Sequence, residues 1–189
     1  MNFSKRMLDI FLCIVAGLLL MGPVFIVASV VLVTSKGPVI FWSDRVGRNN
    51  KIFSMAKFRT MRFGAPTVAT NDLQNPKSHL TSVGAFLRKT SLDELPQLWH
   101  IIRGEMSFVG PRPALFNQKE LIELRSAKGV QILTPGLTGW AQVNGRDQLS
   151  IAEKVAFDSA YLESKSILFD IKILWLTLLR VVGSSGISH

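Results

Sequence analysis

The chain has 189 residues and a net charge of +9, from 22 Lys and Arg against 13 Asp and Glu, which is enough for one compact core. A single cysteine, Cys13, excludes an internal disulfide framework and any multi-cysteine metal site. The basic excess suits an anionic membrane surface, a phosphorylated substrate or nucleic acid. The apolar N-terminal run favours the first two.

Residues 10–33 carry no charge and are about long enough to enter a bilayer. Lys5 and Arg6 precede them, but the run is longer than a signal-peptide core and no small-residue cleavage site follows, so the segment reads as retained. In its middle stand Gly22 and Pro23, where the missing proline donor predicts a kink or break between two half-helices. Cations lie on both flanks: Lys5 and Arg6 before, and Lys36, Arg45, Arg48, Lys51, Lys57 and Arg59 after. By the positive-inside rule both ends face the cytoplasm, which a re-entrant hairpin satisfies; a proline-kinked single span is the open alternative. The division expected is a membrane anchor over 1–35 and one compact domain over 36–189.

Residues 38–42 and 51–59 read as short strands around a turn at 47–50. On the second, Lys57 and Arg59 share a face and could grip a diphosphate, or simply form a solvated edge. The stretch 63–82 is polar and turn-rich and reads as a surface loop.

Residues 91–98, SLDELPQL, place Asp93 and Glu94 at a helix start, with Arg88 before them and Arg112 between Pro111 and Pro113 after them. Carboxylates with arginines suit a metal and a phosphate, and a helix start favours negative charge. Ser91 and Glu94 also fit a helix capping box, which would explain both residues without chemistry. Leu95, Leu98, Trp99 and Ile102 follow at helical spacing and predict a core stripe, with Asp93 and Glu94 off it.

A helix around 117–127 leads to residues 134–146, TPGLTGWAQVNGR. Its glycines, with Trp140, Gln142 and Arg146, suit a loop whose backbone approaches a planar ligand and a phosphate; ordinary turns around a buried tryptophan read the same way. Ser150 and Glu153 predict a capping box for the next helix, which carries Asp158 on the apolar face of Ile151, Val155 and Leu162. A buried acid needs a partner, so Asp158 should meet an arginine, as a structural pair or in support of a site. Residues 167–180 are apolar but for Asp170, Lys172 and Arg180, and read as a helix lying at a membrane interface or as a core helix.

Taken together, Lys5 and Arg6, residues 57–61 (KFRTM), Arg88, Asp93 with Glu94, residues 109–113 (VGPRP) and residues 139–146 (GWAQVNGR) resemble the small monotopic phosphoglycosyl transferases of the bacterial sugar transferase family over nearly the whole chain. The resemblance implies an α/β, mostly helical single domain with an N-terminal re-entrant membrane helix and interfacial amphipathic helices. It implies a bacterial inner-membrane protein with its catalytic domain facing the cytoplasm. The implied reaction moves a sugar 1-phosphate from a UDP-sugar to a polyprenyl phosphate and releases UMP. Asp93 would be the nucleophile, Glu94 its neighbour at Mg²⁺, and Lys57, Arg59, Arg88, Arg112 and Arg146 phosphate ligands, with Gln142 and Asp158 at the substrate or in support. Mg²⁺ takes oxygen ligands and needs only one or two carboxylates beside substrate phosphates. The family's helix break is usually Ser-Pro; here it is Gly22-Pro23. The rival from another class is a non-catalytic anchored module that grips anionic lipid or nucleic acid, which needs the charge but not the carboxylates.

Overall fold

In the computed structural model, which describes residues 2–66, 68 and 75–183, a mostly helical domain with two small sheets is joined to one long apolar helix. Part of the loop expected over 63–82 lies outside the described residues; Met61 and Leu80 form an isolated bridge across it.

Helix α1 (Phe3–Thr34) is continuous through Gly22 and Pro23, so of the expected kink or break the backbone shows no break. Proline removes one donor to the preceding turn, and a long apolar helix tolerates that loss without ending. Both ends of α1 hold the domain. Near the start, Lys5 pairs with Asp170 at 2.7 Å, Arg6 donates to the carbonyls of Ile101 and Ile102, and Asp9 accepts from the Ser107 hydroxyl and the Phe108 amide. Cys13 packs with Met55, Ile101 and Met106, while Val27 and Val31 pack with Phe58 and Leu87. Between these clusters the outward face, including Leu18, Leu19, Phe25 and Ile26, is exposed and apolar.

Strands β1 (Ile40–Val46) and β2 (Ile52–Phe58) form the expected hairpin, antiparallel with Phe41 opposite Lys57. The first strand starts later than the sequence suggests and runs on through Val46. Asn49 and Asn50 take left-handed conformations in the turn, which asparagine tolerates better than most residues. Helix α2 (Gly84–Thr90) and a 3-10 segment, Leu92–Gln97, lead into α3 (Leu98–Arg103).

The core stripe expected on this last pair requires correction. Trp99 and Ile102 are about half exposed, at 55% and 48%, while Ile101 and His100 are buried. Through Gln97 the chain turns with three residues rather than 3.6, and the later change of pitch rotates the stripe away from 99 and 102. Asp93 and Glu94, off the stripe by sequence, are buried as well.

Strand β3 (Ser107–Val109) pairs in parallel with β4 (Gly136–Thr138), with α4 (Lys119–Ala127) between them in sequence. Helix α5 (Ile151–Ser164) opens with the Ser150–Glu153 capping box that the sequence announced. Helix α6 (Ile167–Gly183) buries Ile173 and exposes Leu168, Trp175, Leu178 and Leu179. Its inner face is joined to β4 and the residues after it: Thr177 and Thr138 hydroxyls lie 2.7 Å apart, and Lys172 stands 5.6 Å from the Trp140 ring centroid.

Candidate active site

Two close backbone contacts bring the charged residues together. A side chain at Gly84 would place its Cβ 2.1 Å from the Thr60 carbonyl, so only glycine lets α2 start against the end of the hairpin. Arg88, one turn further on, then donates from Nε to the Thr60 hydroxyl at 3.1 Å. At Gly139 a Cβ would lie 2.1 Å from the Gly110 carbonyl, and its absence brings the residues after β4 against those leading to Arg112.

Ser91 decides between the two readings of its own segment. It adopts a left-handed conformation with φ of 57° at the C-terminus of α2, and its side chain makes no cap bond. Glu94 is therefore not half of a capping box. Its Oε1 instead accepts from Lys57 Nζ at 2.8 Å and from Arg112 Nη2 at 2.7 Å.

The Asp93 side chain borders the open space beside Glu94, is 6% exposed as a residue, and has no hydrogen bond or ion pair among the described residues. Burial pushes its carboxyl above the usual range, Lys57 pulls it down and Glu94 raises it further. Glu94 goes the other way. Burial would raise it, but Arg112 and Lys57 together outweigh that and hold it well below the ordinary value. Burial lowers Lys57 and Arg88, opposed by Glu94 and by Asp93 respectively, whereas Glu94 raises Arg112. The adjacent carboxylates are thus set apart: one neutralised by two cations, the other unpaired and facing open space.

That space is a cavity of about 390 Å³, lined by Lys57, Arg59, Arg88, Asp93, Glu94, Arg112, Gln142 and Arg146, which are the residues expected to form a site. Arg59 is partly committed to structure, since its Nε donates to the Pro38 carbonyl at 2.7 Å and its guanidinium faces the rings of Phe41 and Phe63. Asp158 does not line the cavity. It sits behind, 1% exposed, where Arg125 donates to its Oδ2 from Nε at 2.9 Å and from Nη2 at 2.7 Å. Arg125 also donates from Nη1 to the Arg112 carbonyl, and Arg45 donates to the next carbonyl, Pro113, at 3.3 Å. Gly22 and Pro23 lie on α1, outside this cavity.

The sequence reading missed Arg45, Arg125, Asp147 and Lys154, which also line the cavity. Arg125 had a signal in the buried acid it had to satisfy. Arg45 and Lys154 look like ordinary surface cations until the fold folds them inward. For Arg45 burial, and then Arg112, lowers the guanidinium to about 10.

The model of the bacterial sugar transferase family matches residues 1–184. The chain belongs to this family. It is 40% identical over 202 residues to the exopolysaccharide production protein ExoY of Rhizobium meliloti, covering 98% of this chain and 88% of that one. It is 42% identical over 186 residues to the UDP-glucose:undecaprenyl-phosphate glucose-1-phosphate transferase of Escherichia coli, covering 93% of this chain and 39% of that longer one. The undecaprenyl-phosphate galactose phosphotransferase of Salmonella typhimurium is 35% identical over 203 residues, covering 98% and 42% respectively. As a bacterial sugar transferase the chain is an enzyme, and the rival reading as a non-catalytic anchored module has no support.

Proposed function

We propose that this enzyme transfers a sugar 1-phosphate from a UDP-sugar to a polyprenyl phosphate, with Asp93 as the covalent nucleophile. The observation that carries the reading is the unpaired, buried Asp93 beside a Glu94 neutralised by Lys57 and Arg112, in a cavity rich in cations. A carboxylate needs no strong base to attack phosphorus, but a diphosphate repels it until cations neutralise the charge. Lys57, Arg88, Arg112 and Arg146 supply that neutralisation.

In the first step an Asp93 oxygen bonds to the β-phosphorus, the bond from that phosphorus to the bridging oxygen breaks, and UMP leaves with the electron pair. A sugar phosphate then remains on Asp93. In the second step a polyprenyl phosphate oxygen attacks the same phosphorus and the Asp93 carboxylate leaves, so no net proton or electron is required. The adjacent carboxylates of Asp93 and Glu94 fit Mg²⁺, a hard cation that is satisfied by one or two protein carboxylates, substrate phosphate and water. When bound, Mg²⁺ would supply charge neutralisation to the diphosphate.

The anchor reading belongs here too. Contacts from Lys5 to Cys13 and again at Val27 and Val31 tie both ends of α1 to one domain. That supports a re-entrant anchor over 1–35, a catalytic domain over 36–189 on the cytoplasmic side of the bacterial inner membrane, and α6 lying at the lipid surface. A helix crossing the bilayer would carry one end away from the domain.

The deciding experiment incubates the enzyme with UDP-glucose or UDP-galactose, whichever a donor panel shows to be turned over, and no acceptor. Release of up to one equivalent of UMP with a sugar-phosphate adduct on Asp93 is the expected result. No adduct and no UMP until polyprenyl phosphate is added would overturn the covalent step.

A further inference from the structure

Besides Asp93, the cavity is lined by a neutral side chain, Gln142, whose hydrogen-bonding capacity is left unused. Both its Oε1 and its Nε2 are buried with no partner, although Gln142 lines the cavity. Its amide lies against the backbone of Gly139, where a Cβ would come within 2.7 Å of Oε1. Gln97 Nε2 and Gln131 Oε1 are also buried without a partner, but among the described residues Gln142 alone leaves both amide atoms so. Asn144 donates from Nδ2 to the Trp140 carbonyl at 2.7 Å, and Gln118 accepts the Leu115 amide hydrogen at 2.9 Å. The same part of the fold satisfies other amides, and buried polar groups without partners are uncommon enough to require a reason.

The donor and acceptor pattern of the amide points to the ligand chemistry. A glutamine amide presents an acceptor and a pair of donors side by side in one plane. A phosphate oxygen would satisfy Nε2 only and would repel Oε1, and the cavity already has cations for phosphates. What matches both atoms is a neutral edge with an acceptor next to a donor. The proposed donor substrate has two such edges: the imide of uracil, with its carbonyl beside N–H, and the neighbouring hydroxyls of a hexose. Because the amide holds no hydrogen bond in its present position, turning towards the cavity breaks none.

We propose that Gln142 is the specificity-determining residue for the neutral part of the donor substrate, binding a paired donor-and-acceptor edge with its side-chain amide. The proposal rests on the UDP-sugar reading above. Removing one or two such hydrogen bonds weakens binding about tenfold to a hundredfold.

The test measures binding of UDP, of the UDP-sugar that wild type turns over, and of inorganic diphosphate to full-length wild type, Gln142→Leu and Gln142→Asn by calorimetry. The expected result is that Gln142→Leu weakens the UDP-sugar about tenfold or more and leaves diphosphate unchanged. If UDP weakens equally, the edge read is the base; if UDP is unaffected, it is the sugar. Gln142→Asn keeps an amide one methylene shorter and should recover part of the loss if Gln142→Leu proves poorly folded. Wild-type affinity for UDP and the UDP-sugar in Gln142→Leu would overturn the proposal, as would a parallel loss of diphosphate binding in folded Gln142→Asn. Failure of wild type to bind or use any UDP-sugar would instead refute the functional reading on which this one stands.

Discussion

Arg125 reaches one oxygen of Asp158 with two guanidinium nitrogens and the carbonyl of Arg112 with a third. Asp158 therefore bears on the site at one remove, by fixing the arginine that fixes the backbone of Arg112. Removing one member of a buried ion pair leaves the other uncompensated and costs about 3–5 kcal/mol. Asp158→Ala should lower the denaturant midpoint accordingly. The double change Arg125→Met with Asp158→Leu should recover much of that stability while turnover stays low, because the Arg112 carbonyl remains untethered.

Asp93→Asn should abolish turnover and, without added divalent cation, stabilise the fold at neutral pH. Burial raises the folded pKa of Asp93, so the native state holds this proton more tightly than the unfolded chain does. Its ionised form weakens the fold at neutral pH, and that penalty fades as pH falls through the raised folded value towards about 3.9. Thermal melts of the two proteins at pH 7 provide the check; a variant no more stable than wild type would contradict the sign.

Glu94 has the opposite sign. Its folded pKa is depressed, so it contributes stability above its unfolded value of about 4.3, and this is lost as pH falls through the lower folded value. Glu94→Gln should lose stability at neutral pH and show a shallower decline below pH 4.3 in denaturation curves taken across pH. It should also cripple turnover, because Lys57 and Arg112 lose the negative charge of their shared acceptor.

His100 is a further buried strut. Its Nε2 accepts the Ala56 amide hydrogen at 3.0 Å, and its Nδ1 lies 2.6 Å from Glu105 Oε2, which fixes the tautomer with the proton on Nδ1. His100→Ala would orphan an amide next to Lys57, costing about 1–3 kcal/mol before any cavity cost. Hydrogen exchange at Ala56 is the specific readout; unchanged protection there would show that the contact holds nothing.

The sequence made the local devices legible because their signals are local: the Ser150 capping box, the turn of the β1–β2 hairpin, the apolar run of α1. It also named the cavity's central residues, since Asp93, Glu94 and the flanking arginines stand close together in the chain. What it could not show depends on contacts between distant segments. Trp99 and Ile102 carry a helical spacing that a stretch of tighter winding displaced, and the paired choice at Ser91 could be made only when α2 was seen to end there. Arg45 reaches the site from a hairpin almost 50 residues before Glu94, which no spacing rule announces.

The contact between Lys5 and Asp170 spans 165 residues, and Arg6 completes the end of a helix made some 95 residues later. During synthesis the first turns of α1 must therefore wait, with charged groups that belong inside the domain, until almost the whole chain has emerged. The apolar part behind them can meet lipid long before that. With the anchor proposed above, insertion and closure are separate events in time, and a ribosome stalled before residue 170 would hold an N-terminal helix whose domain lacks its final clasp.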